Sequence, residues 1–339
     1  MSAAPGGTHG ARPRAKRDFL SFADCTRDDI HGLFAFTDHL KELRRRGTVY
    51  QPLRGMSVAM IFEKPSLRTR ASFEVGIHQL GGYAMPLSNE TIGIGTRESV
   101  SDIAHLLSRY NDAIVARTFS HATVEELAAE ATIPVINALT DLLHPCQILA
   151  DAYTLHEQGK LKDGVTIAFI GDGNNVAHSW IDLARLLPIN VVIGCPVGYN
   201  PDPAVLASAK DGAGTVRVVH DPREAATGAD VLYTDVWTSM GQETEYAQRV
   251  AAFDGFQVDG ELLKLAHPDA VVMHCLPAHR GEEIAADVID GPQSIVWDEA
   301  ENRLHAQKAL IVKLLCPAEY NDYLLTRRLQ RAARAAVRS

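Results

Sequence analysis

The sequence predicts an α/β protein of two similar doubly wound parallel-sheet domains with an interdomain cleft, and three observations carry that prediction. Short apolar runs alternate with longer stretches of helical spacing, which argues for parallel strands covered on both faces. The alternation breaks once, at the turn-rich segment Gly159–Gly164, and then restarts. Five strand-like runs stop in polar clusters: Ser66-Leu67-Arg68-Thr69-Arg70, His144-Pro145-Cys146-Gln147, Gly171-Asp172-Gly173-Asn174-Asn175, Ser239-Met240-Gly241 and His274-Cys275-Leu276-Pro277-Ala278-His279-Arg280. Ligands in open α/β sheets bind outside the carboxyl ends of the strands. The five clusters therefore describe one site spread along the chain.

The elements follow in order. Ile30, Leu33, Phe34, Leu40 and Leu43 recur near helical spacing and predict a helix over 27–45. Strand 57–62 leads to helix 66–80, closed by Gly81-Gly82, and strand 83–87 leads to helix 99–110. Strand 113–116, a helix around 123–131, strand 134–138 and a helix over 145–158 complete the first series. The second series has strands at 166–170, 191–194, 216–220, 231–236 and 270–274, with helical stretches between most of them. A helix from about 302 to 315 precedes a basic amphipathic stretch at 320–338.

Length and composition bound the answer. The 339 residues suit two domains at roughly 150 residues each. Expected limits are a disordered tail at 1–17, one domain at 18–150, a second at 151–316, and at 317–339 a helix packing back on the first domain or a solvated tail. A formal charge of −9 gives no basic footprint for nucleic acid, so an anionic substrate needs a local arginine cluster. No apolar window approaches the roughly 18 residues of a membrane span. The five cysteines are odd in number and contain no C-x-x-C pair, which reads as free thiols in a reducing, cytoplasmic setting.

Ser66 can cap a helix whose free N–H groups and positive dipole end suit an anion. Arg68 adds a planar fork matched to phosphate, and Thr69 a hydroxyl. Arg70 has Glu74 one turn later as its partner. Arg117 ends an apolar run, where a charge is costly unless paired; it serves either a doubly charged ligand or a salt bridge.

His144 and Gln147 are three residues apart across Pro145, a residue at home at the first helical position. Imidazole and amide then share one face, from which both can donate to one carbonyl oxygen. The other reading is a capping histidine and a surface glutamine. Cys275 is either a packed thiol or a nucleophile paired with histidine. Without C-x-x-C or H-E-x-x-H, Cys275, His274 and His279 do not read as a metal site. Gly171-x-Gly173 lacks the third glycine of a dinucleotide loop, so no NAD is expected. Asp235 sits in an otherwise apolar strand with no Lys or Arg within five residues, so its partner is a ligand amine or a distant arginine.

Together, S-x-R-T-R, H-P-C-Q-I-L-A-D, G-D-G-N-N, D-V-W-x-S-M-G and H-C-L-P resemble the aspartate/ornithine carbamoyltransferase family, over residues 18 to 316. S-M-G and H-C-L-P point to the ornithine branch. The resemblance implies carbamoyl transfer from carbamoyl phosphate to the δ-amine of L-ornithine, with no metal or organic cofactor. It makes 18–150 the carbamoyl-phosphate-binding domain and 151–316 the ornithine-binding domain. It implies that Ser66, Leu67 (through its backbone N–H), Arg68, Thr69 and Arg117 hold the phosphate. His144, Gln147 and Arg117 would polarise the carbamoyl carbonyl. Asn175, Asp235, Ser239 and Met240 would bind the amino-acid end of ornithine, with Asp235 on the α-ammonium. Cys275 and the Leu276 carbonyl would lie beside the carbamoyl group and the δ-amine, and Arg303 would close the anion site from the second domain. The family also implies a homotrimer with shared active sites. Two positions depart from its pattern: Leu67 where many members have Thr, and Gly93 where many have a glutamine reaching a neighbouring subunit.

Overall fold

The computed structural model describes residues 16–338 apart from Met240 and Gln242. Most of the expected N-terminal tail thus lies outside the described residues. Lys16 and Arg17, assigned to that tail, instead pair with Asp18 at 3.2 Å and Asp29 at 3.3 Å.

The first half runs α1 (Arg27–Arg45), β1 (Ser57–Phe62), α2 (Leu67–Gln79), β2 (Tyr83–Ser88), α3 (Asn89–Ile92), α4 (Val100–Tyr110), β3 (Ala113–Arg117), α5 (His121–Glu130) and β4 (Val135–Leu139). Its four strands form a parallel sheet in the order β2-β1-β3-β4. Local chemistry sets the helix starts. Thr26 and Asp29 form a reciprocal capping box on α1, while Ser66 and Ser99 accept N–H groups at the starts of α2 and α4.

Helix α6 (Pro145–Glu157) joins the halves, and a domain limit at residue 150 would fall inside it. The second half follows as β5 (Thr166–Ile170), α7 (Asn175–Ala184), β6 (Asn190–Gly194), α8 (Pro203–Ser208), β7 (Thr215–Val219), α9 (Pro222–Ala226) and β8 (Val231–Thr234). Then come α10 (Tyr246–Ala252), α11 (Gly260–Leu263), β9 (Val271–His274), α12 (Ala286–Ile289), α13 (Val296–Leu315) and α14 (Pro317–Arg338). The five-stranded sheet is parallel, in the order β7-β6-β5-β8-β9.

Several boundaries differ from the sequence reading, and two of them bear on the site. Strand β8 stops at Thr234, so Asp235 lies just beyond the strand; its carboxylate accepts the next N–H, that of Val236, at 2.8 Å. Helix α13 starts at Val296, with Asp298 and Glu299 in its first turn, where acids complement the dipole. It packs against α1, α2 and α6 of the first half and against β9 of the second, and so carries Arg303 to the cleft. Helix α14 also returns to α1: Tyr323 stacks on His39 at 4.4 Å and donates to the Ala35 carbonyl at 3.0 Å.

One apolar core spans both sheets, from Met60 and Val115 through Tyr153 and Leu310 to Phe169, Tyr233 and Met273. Fully burying one such side chain is worth about 1.5–3 kcal/mol. That shared core holds the two halves in register across the cleft.

Candidate active site

Strand order reverses between β1 and β3 in one sheet and between β5 and β8 in the other. Such switch points open crevices at the strand carboxyl ends. The residues following these four strands face one cavity of about 740 Å³. It is lined by Ser66, Leu67, Arg68, Thr69, Arg117, His144, Gln147, Asn175, Asp235, Ser239, Cys275, Leu276 and Arg303. Every singled-out site residue meets there except Met240, which lies outside the described residues.

The anion end is built from arginine. Arg68 sits in the first turn of α2, whose cap is the Ser66 hydroxyl accepting the Thr69 N–H at 3.2 Å. Arg117 ends β3, where the register against β4 shifts between Ala116 and Arg117; such irregularities re-aim a side chain. Arg303 donates to the Thr69 hydroxyl at 3.3 Å and to Gln147 Oε1. Burial, together with Arg303 and Arg68, lowers Arg117 to about 10. Arg68 is half-buried and makes no ion pair or hydrogen bond among the described residues. Three guanidinium groups with little carboxylate to answer them make a site suited to an anion. Arg70 turns away to Glu74, at 2.8 Å, as its spacing predicts.

His144 stands at the N-cap of α6, its backbone N–H held by the Ser179 hydroxyl at 2.7 Å. Burial and the positive charges of Arg303, Arg117 and Arg68 hold the imidazole well below its usual range, so it is neutral. Gln147 corrects the sequence reading. Its two amide hydrogens face Asp151 Oδ1 at 2.8 Å and Glu299 Oε1 at 3.1 Å, and its carbonyl oxygen accepts from Arg303. It therefore presents an acceptor to the cleft, not a second donor beside His144.

A carboxylate and a thiol face the same cavity. Cys275 Sγ donates to Asp235 Oδ1 at 3.0 Å, and Asn174 Nδ2 donates to Asp235 Oδ2 at 2.8 Å. The protein partners of Asp235 are thus neutral donors rather than a distant arginine. Burial first, then Asp235, pushes the Cys275 thiol well above its ordinary value, so it remains protonated. That argues against a thiolate nucleophile. Asn175 donates to the Thr140 carbonyl at 2.6 Å, whereas Asn174 caps α7. A Cβ at Gly173 would overlap the Asn200–Pro201 backbone, so that glycine serves packing rather than a pyrophosphate. Leu276 holds a left-handed φ of 57° ahead of the cis Leu276–Pro277 bond. His274 is buried and engaged at both nitrogens, accepting the Leu276 N–H at 2.9 Å and meeting Glu283 at 3.1 Å.

Sequence reasoning missed Lys64, Thr238 and Tyr246 in the lining, and considered His279 only as a metal ligand. Lys64 is buried, with its ammonium 4.3 Å from the Phe119 ring centroid. Its signal was position: a cation two residues before a helix cap that ends a strand. The Ser239 loop is anchored by Arg249, which pairs with Asp172 at 2.8 Å and donates to the Trp237 carbonyl at 3.0 Å.

Known proteins resemble this chain over nearly its whole length. Residues 17–157 match the carbamoyl-P binding domain of aspartate/ornithine carbamoyltransferase, and residues 163–314 match its Asp/Orn binding domain. The chain belongs to the aspartate/ornithine carbamoyltransferase family. It is 57% identical over 322 residues to an ornithine carbamoyltransferase of Chlorobaculum tepidum, covering 94% of this chain and 95% of that one. The ornithine carbamoyltransferase structure from Pyrococcus furiosus superposes with a TM-score of 0.86 at 48% identity, covering 89% of this chain and 97% of that one. The Thermus thermophilus ornithine carbamoyltransferase gives 0.80 at 45% identity, over 88% and 99%.

Proposed function

We propose that the chain transfers the carbamoyl group of carbamoyl phosphate to the δ-amine of L-ornithine, giving L-citrulline and phosphate. The observation that carries this reading is that one cleft brings together three guanidinium groups, a carboxylate–thiol pair and a neutral imidazole. Arg68, Arg117 and the free N–H groups of α2, including that of Leu67, take the phosphate with Ser66 and Thr69. Arg303, which already donates to the Thr69 hydroxyl, adds its charge to that set of donors. The neutral His144 offers an N–H to the carbamoyl oxygen as it becomes an oxyanion. Gln147 Oε1 and the Leu276 carbonyl accept from the carbamoyl N–H₂.

Asp235 receives the ornithine ammonium, with Asn175, Ser239 and Met240 around the amino-acid end. A δ-amine, like the amine of lysine, ordinarily titrates at about 10.4, so it must shed a proton before attack. Cys275, held as a thiol on Asp235, orients this end rather than serving as a thiolate base. The N–C bond then forms, phosphate leaves with the electron pair of the C–O bond, and the new nitrogen passes one proton to the departing phosphate.

A homotrimer with active sites at subunit interfaces belongs to the same reading. It is supported by the exposed Leu67 at the cleft mouth and by Arg97, exposed on the loop after Gly93. A dilute, fully active monomer would remove it. A cytoplasmic location is supported by five cysteines that form no disulfide; no described helix is long and apolar enough to cross a membrane.

The deciding experiment supplies carbamoyl phosphate with ornithine, aspartate, putrescine or N-acetylornithine, each separately and without added metal. Citrulline from ornithine alone is expected. Turnover with another acceptor would keep the phosphate half of the reading and overturn the ornithine half.

A further inference from the structure

Gln147 rests on two carboxyl groups buried behind the cleft. Asp151 on α6 and Glu299 on α13 are 0% and 1% exposed, and neither forms an ion pair among the described residues. They share their donors. Gln147 Nε2 is 2.8 Å from Asp151 Oδ1 and 3.1 Å from Glu299 Oε1. Tyr233 Oη is 2.8 Å from Asp151 Oδ2 and 3.2 Å from Glu299 Oε1. The second Glu299 oxygen accepts the His274 N–H at 3.0 Å.

The titratable groups facing the pair are Tyr233 from β8, the Cys275 thiol from β9 and Arg303 from α13. Arg303 is the cation among them, and it binds Gln147 Oε1 rather than either carboxyl. Two carboxylates this close and this deeply buried cannot both ionise. Burial raises both above the usual carboxylate range, and the neighbouring Asp151 raises Glu299 further.

We propose that Asp151 and Glu299 share one proton and act together as positioning residues, holding the Gln147 N–H₂ inward and its carbonyl oxygen toward the cleft. The amide then bridges the Arg303 cation at its oxygen and the single shared negative charge at its nitrogen. A flipped amide would set N–H against guanidinium and oxygen against carboxylate, so both contacts would turn repulsive. The consequence is selectivity: an acceptor at this place favours an acyl phosphate bearing N–H₂ over one bearing a methyl group. This rests on the carbamoyl-phosphate reading above.

The test uses the full chain and the double variant D151N/E299Q, which keeps shape and removes the shared charge. Carbamoyl phosphate is compared with acetyl phosphate as a competing ligand, and ornithine turnover is followed in parallel. The variant is expected to lose at least about tenfold of the preference for carbamoyl over acetyl phosphate, with ornithine KM within about twofold. The wild-type protein near neutral pH should show the infrared carbonyl stretch of a protonated carboxylic acid that the variant lacks. A variant with wild-type selectivity, or a wild-type protein without that band, overturns the proposal. If the double variant does not fold, Glu299→Gln, which leaves Asp151 to carry the single charge on Gln147, is expected to lose the infrared band while keeping the selectivity, and a retained band overturns the proposal. Absence of wild-type turnover would instead overturn the functional reading.

Discussion

Replacing Cys275 with alanine removes one contact, the 3.0 Å bond from Sγ to Asp235 Oδ1. A hydrogen bond to a charged group is worth about 1.5–3 kcal/mol. Asp235 keeps the Val236 N–H on that oxygen and the Asn174 amide on the other, so the lower half of the range applies. At 1.36 kcal/mol per tenfold, the loss in kcat/KM for ornithine should be about 13- to 45-fold. Carbamoyl-phosphate KM should move much less, because the arginine cluster is untouched. Cys275→Ser restores a donor and should return ornithine kcat/KM to within a fewfold of wild type. Steady-state kinetics with each substrate varied in turn reads all of this. Unchanged ornithine kinetics in the alanine variant, or an equal loss for both substrates, would refute the assignment of Cys275 to the amine end.

Two further outcomes follow from the same geometry. His144→Ala should lower kcat by about 10²–10³, the usual loss for one oxyanion donor; because burial and three arginines depress its pKa, the wild-type rate should show no acid limb from this imidazole near neutral pH. His305 on α13 is buried, and burial with Lys308, Lys41 and Arg44 lowers it to about 3. The unfolded chain then binds the extra proton first, so stability is present above about pH 6.5 and declines as pH falls toward 3. Melting temperature against pH should show that decline, and His305→Leu should flatten it; an unaltered slope would mean that other groups carry the acid sensitivity.

Features that depend on neighbours in the chain were legible before any coordinates. Thr26 and Asp29 box the start of α1, Ser66 caps α2, and Arg70 finds Glu74 one turn on, because each contact spans three or four residues. The apolar runs of β1, β3 and β5 are buried at nearly every position, so hydrophobic pattern alone located them. The Asp235 environment was not legible. Its partners Cys275 and Asn174 lie 40 and 61 residues away, and no local pattern distinguishes them from a distant arginine. Gln147 failed in a similar way: spacing placed it on the face of His144, but which end of a symmetric-looking amide points outward depends on what lies behind it.

The sequence by itself determined which side chains stand at strand ends, since strand, turn and cap are short-range consequences of polarity and backbone preference. It also offered an anion-binding reading at one end, because a capped helix start carrying Arg68 is a local feature. Only the tertiary structure decided what state those groups are in. The neutrality of His144, the protonation of Cys275 and the direction of Gln147 follow from burial and from charges brought together from α2, β3, α6, β8, β9 and α13. Electrostatic free energy depends on distance through space and on exclusion of water, and neither is written in the order of residues.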